Sequence, residues 1–181
     1  MLAVSGRLNL KAGGPSVMLP VDAELTKLAQ SKQLSLSGVY EKQIARLLAD
    51  PRSEALSRRF ARQWLRLGDV DGVLPDAVAY PYFDRTLGDA FIKEPELFFD
   101  SLVREDRPVA TLLTADYTFV NERLAKHYNI PNVTGPEFRK VSYPNDQRRG
   151  LLGQGSVLVL TSHGNRTSPV LRGKWVMEVV L

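Results

Sequence analysis

Apolar residues recur at helical spacing over most of the chain, and extended alternation is confined to short stretches. Leu25 and Leu28 share one face of a helix that Asp22 can cap. A second helical pattern begins near Gly38 and ends at Asp50, because the residue before a proline avoids the α conformation. The pattern predicts a mainly α-helical protein.

The most regular helical pattern follows Ser53, which is placed to cap it. Its apolar stripe is predicted to face the core and its arginines to face solvent. The stripe is Leu56, Phe60, Trp64 and Leu67, and the arginines are Arg58, Arg59, Arg62 and Arg66. Gly68 is predicted to close this helix, and an irregular connection follows from Asp69 to Phe83.

A long helical pattern runs from Asp84 to about Val103 and contains Pro95. Proline inside a helix removes a hydrogen bond and costs about 3 kcal/mol. We therefore expect either a kink or two helices that meet near Lys93. A short helix capped by Asn121 is predicted as far as Tyr128.

Two short stretches, Tyr117 to Val120 and Phe138 to Tyr143, alternate roughly and are predicted to pair as a small hairpin or clasp. An apolar stretch and then a polar turn from Thr161 to Ser168 precede Pro169, which is favoured at the first position of a helix. The expected fold class is a helical domain with at most a minor sheet.

The terminal helix is apolar on more than one side and lacks a cap at its end. Its apolar residues are Val170, Leu171, Trp175, Val176, Val179 and Val180. We expect it to pack against downstream domains of a larger protein or against a second copy of the chain. The chain is expected to comprise an irregular segment (1–21), a helical module (22–146) and the start of a second, truncated module (147–181).

Composition places the chain among globular proteins, since 44% of its 181 residues are hydrophobic and 24% are charged. It contains no run of about 20 apolar residues that could span a membrane. The N-terminal segment does not resemble a signal peptide, because Arg7 and Lys11 interrupt its apolar residues. The lack of cysteine excludes disulfides, iron–sulfur clusters and thioether-linked haem, and it leaves the compartment open.

Charge is unevenly distributed along the chain. From Asp84 to Glu122 there are nine acidic and four basic residues, whereas seven basic residues from 138 to 177 accompany Asp146 alone. The two regions are expected to pack together, and the alternative is that the C-terminal third faces an anion.

The best local candidate for an anion site is the polar run from Thr161 to Lys174, where basic side chains gather at the start of a helix. The candidate anion-binding residues are His163, Arg166, Ser168, Arg172 and Lys174. The alternative is that these arginines bind acidic residues or helix ends inside the protein. His127 is expected at the rim of a packed helix.

Other motifs predict little chemistry. The two histidines have no carboxylate at metal-ligand spacing, so we expect neither a metal nor a cofactor. The run from Gly150 to Gly155 lacks the order of a phosphate loop, and its glycines are expected to permit a turn or a close helix approach. Glu94 and Glu96 are too close in sequence to define a catalytic pair. No catalytic residue is assigned, and whether the protein is an enzyme stays open.

Several ordered strings resemble a planctomycete-type family of domains of unknown function. They run from Gln43 to Arg52, Phe60 to Leu65, Ala115 to Ala125, His127 to Tyr128, Arg149 to Leu152 and Thr167 to Trp175. The resemblance implies two adjacent uncharacterised modules, usually within large exported proteins that often carry cytochrome-c-like domains, and it implies no catalytic residue. Met1 to Pro20 resemble a different planctomycete domain of unknown function.

The chain departs from that family pattern at two places. Pro95 follows Glu94 where the family tends to have threonine, and Asn129 follows Tyr128 where it tends to have glycine.

The function expected is a non-catalytic accessory or interaction module of a larger cell-envelope protein, and its exported or periplasmic location rests on the resemblance alone. One alternative is an enzyme or binding protein for an anionic or carbohydrate ligand that uses the run from Thr161 to Lys174. The other is nucleic-acid binding through Arg58, Arg62, Arg66 and the C-terminal bases. The sequence argues against nucleic-acid binding, because exposed aromatic residues do not interleave with these bases.

Overall fold

The computed structural model describes residues 22–181, apart from the side chain of Leu56. The expectations for Met1 to Pro20, and the place of Leu56 in the apolar stripe, lie outside the described residues. The chain divides into two compact units, residues 1–46 and residues 47–181. The described part is mainly α-helical with small antiparallel hairpins, which confirms the predicted fold class.

The helices and hairpins of the described residues follow the predicted order. The helices are α1 (Ala23–Gln30), α2 (Val39–Ala49), α3 (Glu54–Trp64), α4 (Arg85–Arg104), α5 (Thr111–Thr114), α6 (Glu122–Tyr128), α7 (Gly155–Leu160) and α8 (Pro169–Trp175), which continues as a π-helical turn, Val176–Val180. Short 3-10 turns cover Pro51–Ser53, Leu67–Gly72 and Leu151–Gly153. The strands are β1 (Tyr117–Val120), β2 (Arg139–Ser142), β3 (Ser162–His163) and β4 (Arg166–Thr167). β1 pairs with β2, as predicted, and β3 pairs with β4 inside the predicted polar turn.

In the first unit, polar side chains join α1 to α2. Asp22 caps α1 as predicted, because its carboxylate accepts a hydrogen bond of 3.2 Å from the Leu25 amide. Its Oδ1 atom also lies 2.9 Å from Nη2 of Arg46. The buried side chain of Gln43 donates to Glu24 at 2.9 Å. No residue of α1 is buried, so these contacts rather than an apolar core hold the pair.

α3 begins directly after Ser53, as predicted, but the predicted cap and the predicted closing residue are both wrong. The Ser53 hydroxyl does not cap the helix; it donates to the Leu48 carbonyl at 2.9 Å, and Asp50 caps the preceding 3-10 turn instead. At the other end, Gly68 is not the closing residue. The chain leaves α3 through Arg66, which adopts a left-handed conformation with a φ of 55°.

The aromatic stripe of α3 lies at the edge of the core, which corrects the prediction for Phe60. Phe60 is 45% exposed, and its ring centroid lies 5.6 Å from that of Trp64 and 5.3 Å from that of Phe99. Among the described side chains of α3, that of Ala61 is fully buried. A small side chain permits α3 to approach α4 closely, so the large rings pack along the margin of that contact.

α4 is one continuous helix of 20 residues, so the alternative of two helices near Lys93 is wrong. It is the centre of the core of the second unit, where Leu87, Phe91 and Phe98 are buried. Burial of each large side chain contributes about 2–3 kcal/mol. These contributions offset the cost of about 3 kcal/mol for Pro95 in the helix interior.

Two glycines of the run from Gly150 to Gly155 lie where other groups leave no room for a side chain. Gly150 has a φ of 46°, and a Cβ atom there would lie 2.3 Å from the Leu112 carbonyl oxygen. A Cβ atom at Gly155 would lie 2.2 Å from the Phe91 ring. The prediction that these glycines permit a close approach is confirmed. None of the described helices is both long enough and apolar enough to cross a bilayer.

Candidate functional site

The second unit contains a cleft of about 190 Å³ between the loop from Val73 to Phe83 and the β3–β4 hairpin. A hydrogen bond of 2.8 Å from the Asp76 amide to the Gly164 carbonyl joins loop and hairpin. We call this cleft between the loop and the hairpin the aromatic cleft. Its ring-bearing and polar lining residues are Tyr80, Tyr82, Phe83, Phe91, His127, Ser162, His163, Arg166 and Thr167.

His127 packs among the rings of this cleft. Its ring centroid lies 5.2 Å from that of Phe91 and 6.0 Å from that of Tyr82. Burial lowers the pKa of His127 to about 4, and the positive charges of Arg148 and Arg123 act in the same direction. The half-buried imidazole is therefore neutral at pH 7. This position agrees with the expectation that His127 lies at the rim of a packed helix. The imidazole also lines the aromatic cleft.

The structure brings two of the five candidate anion-binding residues to the aromatic cleft. His163 and Arg166 are directly paired across the β3–β4 hairpin, and both are exposed and line the cleft. The Arg166 side chain forms no hydrogen bond or ion pair with any of residues 22–181. Its guanidinium is thus available to a ligand.

The other three candidates make contacts within the protein. The Ser168 hydroxyl accepts a hydrogen bond of 3.3 Å from a backbone amide of α8 and so caps that helix, which begins at Pro169 as predicted. Arg172 donates to the Thr167 hydroxyl at 3.0 Å. Nζ of Lys174 lies 3.7 Å from the Glu178 carboxylate. These contacts fit the alternative that these basic residues bind groups within the protein.

A buried polar cluster is connected to the cleft through Gly155. Glu94 is fully buried, and its carboxylate accepts hydrogen bonds from the Thr118 hydroxyl at 2.5 Å and the Tyr128 hydroxyl at 2.6 Å. The Gly155 amide donates to the Tyr128 oxygen at 2.6 Å. α4, β1, α6 and α7 therefore meet at one carboxyl group.

Burial raises the pKa of Glu94 to about 7. The hydrogen bonds from Thr118 and Tyr128 and the charge of Arg148 favour the ionised form and limit that rise. The Arg148 guanidinium lies 4.3 Å from the centroid of the Tyr128 ring. Burial and the nearby Glu94 charge also raise the pKa of Tyr143. Glu94 consequently gains or loses a proton near neutral pH.

The two regions with opposite charge excess do meet in the fold. Nζ of Lys140 lies 3.0 Å from the Glu105 carboxylate, and Arg148 acts on Glu94. Over residues 22–181, no three histidine, aspartate or glutamate side chains converge closely enough to hold a metal ion. The cleft therefore offers ring surfaces, neutral hydrogen-bonding groups and one unpaired guanidinium.

Comparison with known families identifies the chain at the level of its family. The sequence model of PSD4, described as a protein of unknown function (DUF1592), matches residues 18–130, which is more than half of the chain. The chain belongs to the PSD4 family. The model of PSCyt3, described as a protein of unknown function (DUF1588), matches residues 148–181. The resemblance inferred from the sequence is confirmed, and no curated protein and no solved structure matches the chain.

The PSD4 and PSCyt3 regions share both the buried cluster and the cleft. Glu94 and Tyr128 lie in the PSD4 region, and Gly155, which bonds to Tyr128, lies in the PSCyt3 region. In the cleft, Tyr82 comes from the PSD4 region and Arg166 from the PSCyt3 region. Within residues 47–181 the two regions thus build their polar sites jointly.

The departure from the PSD4-like pattern at Asn129 has a structural reason. Asn129 follows α6 in a left-handed conformation with a φ of 57°. Glycine adopts this conformation without strain, and asparagine is among the side chains that tolerate it best. The residue therefore keeps the turn that a glycine would make.

Most of the aromatic cleft could not be predicted from the sequence. The loop residues Tyr80, Tyr82 and Phe83 lie in the predicted irregular connection, for which the sequence predicts no role, and it predicts none for Glu94. Three aromatic residues within four positions of a proline-containing loop are the one available signal, because such side chains need a surface to cover. Nothing local in the sequence relates that loop to the hairpin that begins at Ser162.

Proposed function

We propose that this chain is a non-catalytic recognition module of a larger cell-envelope protein, and that it binds a ring-sized apolar group in the aromatic cleft. The observation that carries the proposal is the size and lining of the cleft, which is about 190 Å³ and mainly apolar. A cavity of about 150 Å³ lined by leucine, isoleucine and phenylalanine binds benzene. The cleft has room for one ring and a substituent. The cell-envelope location rests on the family resemblance alone.

Binding is favoured over catalysis by the environment of the two histidines. An imidazole that acts as a general base is normally oriented by a third group, such as a carboxylate. Neither His127 nor His163 hydrogen-bonds to a carboxylate within residues 22–181. Ring contacts rather than a catalytic hydrogen bond position His127.

The contacts of α3 argue against the nucleic-acid alternative. Each of the three arginines considered for it lies beside a carboxylate. The pairs are Arg58 with Glu54, Arg62 with Glu96 at 3.6 Å, and Arg66 with Glu178 at 3.9 Å. A phosphate backbone would have to displace these partners, so α3 does not present a free basic row.

The terminal helix supplies a second, separate proposal. Trp175 is buried and Val176 packs against the core, whereas Val170 and Met177 are 81% and 67% exposed. Residues seven positions apart lie on one side of a helix. We propose that this exposed side contacts a second copy of the chain, and contact with downstream domains is the competing outcome.

The cleft proposal is tested by a solution NMR titration of the full chain with p-cresol, a neutral single-ring probe. We expect saturable shifts at the amides of Gly155 and Gly164 and recovery of unchanged p-cresol. Tyr82→Ala should weaken binding by about 2- to 10-fold, the equivalent of about 0.5–1.5 kcal/mol for one aromatic contact.

Tyr40→Ala is the matched control, because Tyr40 is 57% exposed, similar to 52% for Tyr82, and does not line the cleft. It should leave the affinity unchanged. Shifts that map elsewhere, no saturable binding, or chemical conversion of p-cresol would each overturn the proposal.

A further inference from the structure

We infer that the ligand of the aromatic cleft is an oxyanion that carries a single ring, and that Arg166, together with His163, contacts its charged group. The inference rests on the proposed function, since it names the chemical class that the same cleft takes. It is carried by the charge of the lining, the placement of the hairpin and the contrast with the paired arginines of a second pocket in the same unit.

The lining of the aromatic cleft contains cationic and neutral side chains and no carboxylate. Arg166 supplies the guanidinium of this lining, and its five N–H donors have no acceptor among residues 22–181. A cationic ligand would meet an unpaired positive charge. A ligand with a negative group would complete the site.

In a second pocket of the same unit, the arginines are paired with carboxylates of the protein itself. There Arg62 and Arg85 lie 3.7 Å from the two carboxylate oxygens of Asp71, and Arg85 also lies 3.5 Å from Asp89. Every arginine in that pocket is thus neutralised by the protein itself. Arg166 differs because the cleft supplies it with no such partner.

The hairpin places two donors beside each other. His163 and Arg166 are directly opposite across β3 and β4, and Cβ atoms of such pairs lie about 4.5–5.5 Å apart on one face. An imidazole and a guanidinium at this separation can reach the same oxyanion. Arginine binds carboxylate and phosphate groups through two parallel hydrogen bonds.

The hairpin is held in place from both ends. Arg172 donates to Thr167 at 3.0 Å on β4, and the Gly164 carbonyl accepts the 2.8 Å bond from Asp76 at the turn. The ligand therefore does not have to order this segment, which reduces the entropic cost of binding.

The interior of the cleft favours a ring over a neutral sugar. Phe83, Phe91 and the neutral His127 present ring faces and edges, and hydroxyl groups of a carbohydrate buried against them would lose hydrogen bonds to water. Charge recognition at Arg166 with an apolar interior therefore describes a ring-bearing anion better than a carbohydrate.

The test is a set of calorimetric and NMR titrations of the full chain with benzoate, phenyl phosphate, p-cresol, benzylamine and inorganic phosphate. We expect benzoate or phenyl phosphate to bind about 5- to 10-fold more tightly than p-cresol, which is of similar size. The better of the two identifies the oxyanion as carboxylate or phosphate. Added salt should reduce the preference, because Arg166 is exposed.

Arg166→Gln should abolish the preference and leave p-cresol affinity unchanged. Arg59→Gln is the control, because Arg59 is also exposed and free of partners among residues 22–181 but does not line the cleft. It should preserve the preference. His163→Gln should reduce the preference in part. Thermal melts of the three variants verify that they fold.

The outcomes separate this inference from the proposed function. If p-cresol binds and neither ring-bearing anion binds more tightly, the inference fails and the recognition proposal stands. The inference also fails if benzylamine binds best, if inorganic phosphate alone binds as tightly as phenyl phosphate, or if Arg166→Gln keeps the preference. If p-cresol shows no saturable binding, the recognition proposal fails and the inference with it.

Discussion

The hydroxyl of Tyr128 donates a 2.6 Å hydrogen bond to the buried carboxylate of Glu94, although 34 positions separate the two residues. The same oxygen accepts the Gly155 amide proton. One hydroxyl thus satisfies two buried polar groups, and its removal leaves both without that partner.

Tyr128→Phe should therefore lower the free energy of unfolding by about 1–3 kcal/mol, the cost of buried polar groups without partners. Urea denaturation at pH 7 measures this. Tyr82→Phe removes an equivalent hydroxyl from a residue that is 52% exposed, and it should change stability by less than about 0.5 kcal/mol. Equal losses in the two variants would contradict the role given to the Tyr128 hydroxyl.

The stability of the wild-type chain should vary little between about pH 4.5 and pH 6.5, because Glu94 and His127 oppose each other. The pKa of Glu94 is raised from 4.5 to about 7 in the fold, so the folded state binds more protons in this range and its contribution to stability falls as pH rises. The pKa of His127 is lowered from 6.5 to about 4, so the unfolded state binds more protons and its contribution rises with pH.

Single variants should reveal the two opposing contributions. With Glu94→Gln, stability should increase as pH rises from 4.5 to 6.5, because His127 remains. With His127→Phe, stability should decrease over the same range, because Glu94 remains. Urea midpoints across the pH series provide the measurement, and parallel profiles for wild type and both variants would count against the assignment.

A matched pair of glycine substitutions tests the close approach of α7 to α4. Gly155→Ala forces a Cβ atom to 2.2 Å from the Phe91 ring and should cost about 1–3 kcal/mol through overpacking. Gly173→Ala meets no atom within 4 Å in α8 and should stabilise the chain by about 0.5–1 kcal/mol. Thermal melts that shift in the same direction for both variants would contradict this packing.

The two rings of the α3 stripe, Trp64 and Phe60, should contribute unequally to the stability of the fold. Trp64→Ala removes a half-buried ring and a 2.6 Å hydrogen bond from Nε1 to the Val179 carbonyl, and it should cost about 2–4 kcal/mol. Phe60→Ala removes a ring that is 45% exposed and should cost about 1 kcal/mol. Denaturant unfolding measures both losses. A larger loss of unfolding free energy for Phe60→Ala than for Trp64→Ala would mean that Phe60, and not Trp64, faces the core.

Self-association through the terminal helix predicts a concentration-dependent sedimentation coefficient. The double variant Val170→Glu, Met177→Glu should remain monomeric, because two charges would enter the contact. Ala55→Glu places a charge on an exposed residue of α3 and should not alter association. A wild-type chain that is monomeric at all concentrations would favour downstream domains as the partner.

Local signals were sufficient for much of the fold. Asn121 caps α6 through a 3.0 Å hydrogen bond to the Leu124 amide, which the sequence predicts from neighbouring residues alone. The pairing of β1 with β2 also follows from alternation and proximity along the chain. By contrast, the hydroxyl of Ser53 had two possible partners, and it bonds to the Leu48 carbonyl near the end of α2 instead of capping α3.

The candidate site depended on long-range contacts that local patterns do not encode. The polar run around His163 and Arg166 was recognised, but its separation from Arg172 and Lys174 is set by where β4 and α8 point. Glu94 resembles any polar residue in an amphipathic helix until Thr118 and Tyr128 surround it. Burial of a carboxyl group is a property of the assembled core.

The hydrogen bond between Gly155 and Tyr128 has a consequence for how such proteins recombine. A crossover between residues 130 and 148 would separate the carboxyl-bearing half of the cluster from the amide that completes it. Descendants that inherited one half alone would have a defective core and half a cleft. Selection should therefore transmit the two regions as a linked pair, and two polypeptides cut at this point should recover a native fold only when they are produced together.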